Sequence, residues 1–239
     1  MHDDADCCWT ISDQKFPLFN SVMRARVDGD RAEALIDTRM QACIDRDVPI
    51  LWWTGPSTAP TDFGERLLRR GFFIEPAFGM VAALDGAGGQ PADDDSAAIS
   101  RVSDVSALAA WSRVLCESFA APQAFGRAFS EMTVALGLDA AAPFRHYLAR
   151  IDGEPVGTCS LFLGAGVAGI YDVSTLPEHR RRGIGAAITR FAMDDARAAG
   201  FQTAILHAST LGAGMYRSLG FERLCDIGQY VWVPERLSK

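Results

Sequence analysis

A chain of 239 residues with 49% hydrophobic, 10% aromatic and 22% charged residues has the balance of an ordinary globular protein, which excludes a disordered or fibrous one. Its formal net charge of −7, from 23 Lys+Arg against 30 Asp+Glu, offers no global attraction for DNA, RNA or an anionic membrane. The six cysteines, at positions 7, 8, 43, 116, 159 and 225, include no CxxC pair and no histidine-rich partner cluster, so neither a disulfide framework nor a zinc site is expected.

The chain begins Met-His-Asp-Asp-Ala-Asp, acidic where a secretory signal is basic, and no apolar run approaches the ~20 residues of a membrane span. A cytoplasmic location is expected. Cys7 and Cys8 stand in a short polar leader, read as a partly ordered terminus without metal. A strand is then expected at 20–27, a helix at 31–45, a strand at 49–54, a helix at 63–70 stopped by Gly71-Phe72, and a strand at 80–84. The Trp52-Trp53-Thr54-Gly55-Pro56 segment either walls a pocket or fills a core, and the second role is favoured. Residues 85–98 carry glycines 86, 88 and 89, Pro91 and an acid run at 93–95, the composition of a linker. The expected organisation is a first unit at 1–84, a linker at 85–98 and a larger second unit at 99–239.

In the second unit a short strand at 99–102 precedes Asp104, a helix N-cap before Val105, Leu108, Trp111, Leu115 and Phe119 at helical spacing. More helix follows through Phe125, Phe129 and Met132. Residues 144–151 and 156–163 form a hairpin about Asp152-Gly153-Glu154-Pro155. A strand at 169–174, an amphipathic helix at 183–199 closed by Gly200, a buried strand at 201–208, a short helix at 213–219 and a strand at 230–233 complete it. A crossover helix between two strands implies a parallel pair in an otherwise antiparallel sheet, hence an α/β (α+β) class with a mixed sheet. Leu67-Leu68-Arg69-Arg70-Gly71-Phe72 aligns with Tyr216-Arg217-Ser218-Leu219-Gly220-Phe221, which suggests an internal duplication.

The most informative segment is Val173-Ser174-Thr175-Leu176-Pro177-Glu178-His179-Arg180-Arg181-Arg182-Gly183-Ile184-Gly185-Ala186. A strand runs into a basic, glycine-bearing turn that opens a helix, whose first N–H groups lack intrahelical acceptors and whose dipole adds positive potential. Such a turn suits a diphosphate. Here the sequence resembles the GCN5-related N-acetyltransferase (GNAT) family, whose loop reads Arg/Gln-x-x-Gly-x-Gly/Ala; Arg180-Arg181-Arg182-Gly183-Ile184-Gly185 fits without a gap, and the resemblance covers residues 99–233.

The resemblance implies a GNAT-like acyl-CoA N-acyltransferase fold and acetyl transfer from acetyl-CoA to an amine of a small molecule or peptide. The loop amides would hold the coenzyme A pyrophosphate, and Val173, Ser174 and Thr175 would bind the pantetheine arm and acetyl group. Tyr216, in the family's Tyr-x-x-Leu-Gly-Phe position, would protonate the departing thiolate. Ser209 stands where many members carry Asn. Asp172, beside the acetyl-binding strand, is the favoured general base over His207, Glu178 and Glu117; a carboxylate that only supports the strand is its structural alternative. His207 is otherwise a core histidine on a buried strand.

No metal, nucleic acid or membrane partner is implied. The first unit has only Asp28-Gly29-Asp30-Arg31 at the corresponding turn, whose acids would repel a diphosphate, and it resembles the degenerate half of tandem members. One coenzyme per chain is expected, in a monomer or homodimer. The competing function is a coenzyme-binding or sensing module without turnover.

Overall fold

The computed structural model describes residues 1–84, 97–139 and 141–237. Most of the expected linker, residues 85–96, lies outside the described residues. Two compact units are formed by Met1–Phe78 with Cys225–Lys239, and by Gly79–Leu224. This division differs from one at 84 and 99, because the chain's last strand runs from one unit into the other.

In the first unit, β1 (His2–Asp3), β2 (Cys8–Trp9) and β3 (Ser21–Met23) pair antiparallel in turn. α1 (Gly29–Asp45) then crosses over to β4 (Ile50–Thr54), which lies parallel to β3. α1 turns Ala32, Leu35, Ile36 and Cys43 inward at helical spacing. They pack with Ile50, Trp52 and Phe72, and with Phe63 and Leu67 of α2 (Phe63–Arg69), in one apolar core. Trp52 is fully buried with its ring 5.2 Å from Phe63, which gives it the core role.

Two expectations for this unit are corrected. The leader is ordered structure: Cys7 and Cys8 are buried, β2 pairs with β3, and the Arg39 guanidinium sits 4.2 Å above the Trp9 ring. The strand expected at 20–27 stops at Met23, where Arg24 takes a φ of 58° and breaks the extended run.

The second unit begins within β5 (Phe73–Ala83) and continues with β6 (Ala98–Arg101), α3 (Val105–Phe119), α4 (Gln123–Leu136), β7 (Phe144–Ile151), β8 (Glu154–Gly164) and β9 (Val167–Thr175). α5 (Ile184–Ala198), β10 (Thr203–Ser209), α6 (Ala213–Ser218) and β11 (Glu222–Trp232) follow. Asp104 caps α3 as expected, its Oδ1 accepting the Ala107 N–H at 2.8 Å. The strand order within this unit is β5-β10-β9-β8-β7-β6. β6 to β9 are antiparallel neighbours, and β10 is parallel to β9 with α5 as the crossover.

Neighbouring strand residues point to opposite faces, and His146 and Tyr147 show which helices cover each. The His146 ring packs against Trp111 of α3 and Phe129 of α4, whereas the Tyr147 ring packs on Phe191 of α5 and its hydroxyl donates to Asp195. The sheet of this unit is therefore a layer between α3/α4 and α5. β11 is longer than the strand expected at 230–233. Its Gly228–Trp232 stretch pairs antiparallel with Ile50–Thr54, completing the first unit, where Tyr230 joins the core.

Candidate active site

β9 carries an irregularity that composition does not announce. Thr158 of β8 lies opposite Ser174 and Ser160 lies opposite Tyr171, so Asp172 and Val173 together face the single residue Cys159. This is a β-bulge, and Asp172 adopts the left-handed region at φ 55°. The Thr158 hydroxyl closes the gap in the ladder by donating to the Asp172 carbonyl at 2.7 Å.

The same strand loses its other neighbour. Pairing between β9 and β10 runs from Ala168↔Ala204 to Ile170↔Leu206, although β9 continues to Thr175 and β10 to Ser209. The Leu176 N–H donates across to Val156 O at 2.9 Å. Alternation along a strand then turns the N–H and C=O groups of Thr175 and Val173 toward the edge that β10 has left. The Thr175 carbonyl confirms the direction by accepting from Arg180 Nε at 3.1 Å. Backbone donors are thus presented along an open edge.

That edge leads into the head of α5. Gly183 is its N-cap at φ 79°, a conformation that strains any side-chain-bearing residue. The first intrahelical bond is Ala187 N–H to Gly183 O, 3.0 Å, so the N–H groups of Ile184, Gly185 and Ala186 have no helical acceptor. A Cβ on Gly185 would stand 3.1 Å from Met215 Sδ, which explains a glycine where α5 approaches α6.

Residues 110–221 match the model of the acetyltransferase (GNAT) family. The fold is the GNAT fold. Similar solved structures include a GCN5-related N-acetyltransferase from Kribbella flavida, 19% identical with a TM-score of 0.70 over 95% of this chain and 86% of its own. A functionally unknown conserved protein from Staphylococcus epidermidis ATCC 12228 is 15% identical with a TM-score of 0.73, covering 97% of this chain and 92% of its own. A tandem GNAT protein from the clavulanic acid biosynthesis pathway is 15% identical with a TM-score of 0.61, covering 89% and 74%. No curated protein matches the chain.

On this GNAT frame the sequence-predicted residues take distinct places. Tyr216 of α6 is buried and meets Phe221 edge-on at 5.9 Å. Burial, with Cys159 nearby, pushes its hydroxyl well above the usual tyrosine range, so it stays protonated and available as an acid at neutral pH. Burial also pushes the Asp172 carboxyl up to about 6, against the opposing influence of the Ser160 hydroxyl. That value suits a base working near neutrality, still ionised yet able to hold a proton.

The three arginines are not equivalent. Arg180 is committed to main-chain carbonyls, Thr175 O through Nε and Ser118 O through Nη2, both at 3.1 Å, and so struts the turn against the end of α3. Arg181 and Arg182 are exposed, the latter 3.2 Å from His179 Nδ1. Ser209 caps the turn into α6, its Oγ accepting the Gly212 N–H at 3.1 Å. Among the rival bases, Glu178 is exposed and Glu117 is paired with Arg113 at 3.4 Å. His207 is exposed rather than buried in the core, its ring 6.4 Å from that of Tyr171.

Residues that the sequence reading passed over are Ser160 and His146, register partners of β8 and β7 with His146 Nδ1 2.8 Å from Ser160 Oγ. Their only signal was polarity inside two apolar strand runs. Among the described residues no group of acidic, histidine and cysteine side chains is arranged to hold a metal ion, and no helix is long and apolar enough to cross a membrane.

Proposed function

We propose that the chain transfers the acetyl group of acetyl-CoA to an amine of a small molecule or peptide, by direct attack with both substrates bound. The observation that carries this reading is the junction of two sets of free backbone donors, the Val173 and Thr175 edge of β9 and the Ile184, Gly185 and Ala186 amides of α5. The residues fit the coenzyme: the α5 amides and the charges of Arg181 and Arg182 would hold its diphosphate, and the strand edge would hydrogen-bond its pantetheine arm. Bound there, acetyl-CoA supplies an activated carbonyl.

The chain's own groups then divide the work. Asp172 takes the proton from the attacking amine. The Val173 N–H donates to the carbonyl oxygen as negative charge develops on it. As the new C–N bond forms and the C–S bond breaks, Tyr216 gives its proton to the departing sulfur. Cys159, opposite the bulge, does not compete as a nucleophile, because burial holds its thiol protonated far above neutral pH. This supports direct transfer over a route through an acyl-cysteine.

The first unit is read as a degenerate copy that binds no coenzyme. The head of its α1 follows Asp28 and carries Asp30 in its first turn, charges opposed to a diphosphate. The test of function is thiol release from acetyl-CoA with a panel of amines, in the native chain and in Tyr216→Phe. Turnover with at least one amine, lost in the variant while coenzyme affinity is kept, is expected. Tight coenzyme binding with no turnover for any amine would instead make the chain a binding module.

A further inference from the structure

The amine's body has no seat in the proposed reaction, and the sheet face beside the open edge of β9 carries an aromatic row that the reaction leaves unused. Register sets Phe144 of β7, Phe162 of β8 and Gly169 of β9 opposite one another, and two residues along it does the same for His146, Ser160 and Tyr171. Opposed residues share a face, so Phe144, Phe162 and Tyr171 lie on the side where His146 meets α3 and α4. The ring contacts agree. Phe144 packs edge-on against Phe129 of α4 at 6.0 Å and against Phe162 at 6.1 Å, and Tyr171 meets His207 of β10 edge-on at 6.4 Å. Along the row the rings pass from cover to solvent: Phe129 is buried and Phe144 half-buried, whereas Phe162, Tyr171 and His207 are exposed.

Two glycines shape the exposed part. A Cβ at Gly169 would stand 2.5 Å from Tyr171 Cε2, and one at Gly164 would stand 2.6 Å from Phe162 Cε1. Each ring therefore lies over a neighbouring glycine instead of standing up from the sheet, and Tyr171 leans back toward Gly169, away from Asp172. From Phe162 to His207 the row crosses two strand spacings, ~10 Å. That is room for one flat ring and a short tail, whereas a protein partner would need about 800 Å². Tyr171 and His207 stand one step past Ile170↔Leu206, the last register pair of β9 and β10, so the row ends where the strands part. Val173 is two residues on, about 7 Å along a strand. Asp172 between them carries the charge that complements an ammonium, which ring faces also attract.

We propose that Phe162, Tyr171 and His207 seat the body of the acceptor, and that the acceptor is an arylalkylamine, a primary amine on a short carbon linker from an aromatic ring. The ring rests on the row, and the nitrogen reaches past Tyr171 to the open edge of β9. The inference rests on the reading of that edge as the acetyl site. Bonds and protons balance as in the proposed transfer: the C–N bond forms, the C–S bond breaks, the amine's proton goes to Asp172 and the departing sulfur takes one from Tyr216.

Two measurements on the full chain separate the row from the reaction. Aromatic 1H–13C spectra with coenzyme A present are recorded during titration with 2-phenylethylamine and, separately, with butylamine; the Phe162, Tyr171 and His207 signals move with the first and not with the second. Thiol release from acetyl-CoA gives 2-phenylethylamine a kcat/KM about tenfold or more above butylamine, glucosamine or spermidine. Phe162→Ala, and Gly169→Ala, which displaces the Tyr171 ring, each cut the ratio of 2-phenylethylamine to butylamine about tenfold, and Phe162→Tyr restores it. That ratio is taken within one preparation, so loss of folded protein does not alter it. Rings unmoved by 2-phenylethylamine, or a preference for glucosamine or spermidine, overturn the proposal and leave acetyl transfer standing. Binding at the rings without thiol release from any amine keeps the row as an amine seat and removes the transfer.

Discussion

Replacing Asp172 by Asn tests whether the bulge holds a working carboxylate at the expense of stability. The folded chain holds this carboxyl at about 6, against an ordinary value of 3.8. Because the folded value is the higher one, the native state binds the proton more tightly, and stability falls as pH rises from below 3.8 through 6. At about 1.4 kcal/mol per unit, the full cost above pH 6 is ~3 kcal/mol. Asp172 is half-buried as a residue, and solvent screening reduces this to about 1–2 kcal/mol.

Asp172→Asn removes the charge and with it the cost. Urea unfolding at pH 7.5 should therefore show the variant more stable than the parent by about 1–2 kcal/mol. At pH 4.5 the gain should shrink to about a third of that, since the native carboxyl is by then mostly protonated. In thiol-release assays the same variant should lose about 10²–10⁴ in kcat/KM, and the parent's acidic limb should have its midpoint near 6. A variant destabilised at pH 7.5 would show that the charge on Asp172 costs the fold nothing, and one that keeps its activity would show that Asp172 is not the base.

Other expectations follow from the same geometry. Tyr216→Phe should lower kcat by about 10²-fold or more, with coenzyme affinity unchanged by calorimetry, because the lost group is a buried proton donor. Arg180→Ala should act mainly on stability, by about 1 kcal/mol for the strut to Ser118 and Thr175. The Arg181→Ala/Arg182→Ala double variant should instead weaken coenzyme binding and flatten its dependence on salt. Calorimetric titration should give one coenzyme per chain; two would show that the head of α1 binds diphosphate despite Asp28 and Asp30.

Local chemistry made much of the second unit legible. Asp104 announces the start of α3, the Asp152-Gly153 turn joins β7 to β8, and Gly183 opens α5 as its spacing indicated. What was hidden depends on partners distant in sequence. The first half of β11, with Glu222, Arg223, Asp226 and Gly228, is too polar to read as a strand, and β5 carries Pro76 before its apolar stretch. The leader's Cys7 and Cys8 are buried because β2 finds β3.

At the site, the arginine and glycine loop was visible because consecutive residues build it. The bulge was not, since it is a mismatch of register between β8 and β9. Ser160 and His146 met only once the register of β7 and β8 paired them.

If acetyl-CoA binds as proposed, free backbone amides at the head of α5 and along β9 receive it. Backbone 15N–1H spectra recorded during a titration with coenzyme A measure this residue by residue. The largest shifts are predicted at Ile184, Gly185 and Ala186, with Val173 and Thr175 next; binding that leaves these amides unmoved would contradict it.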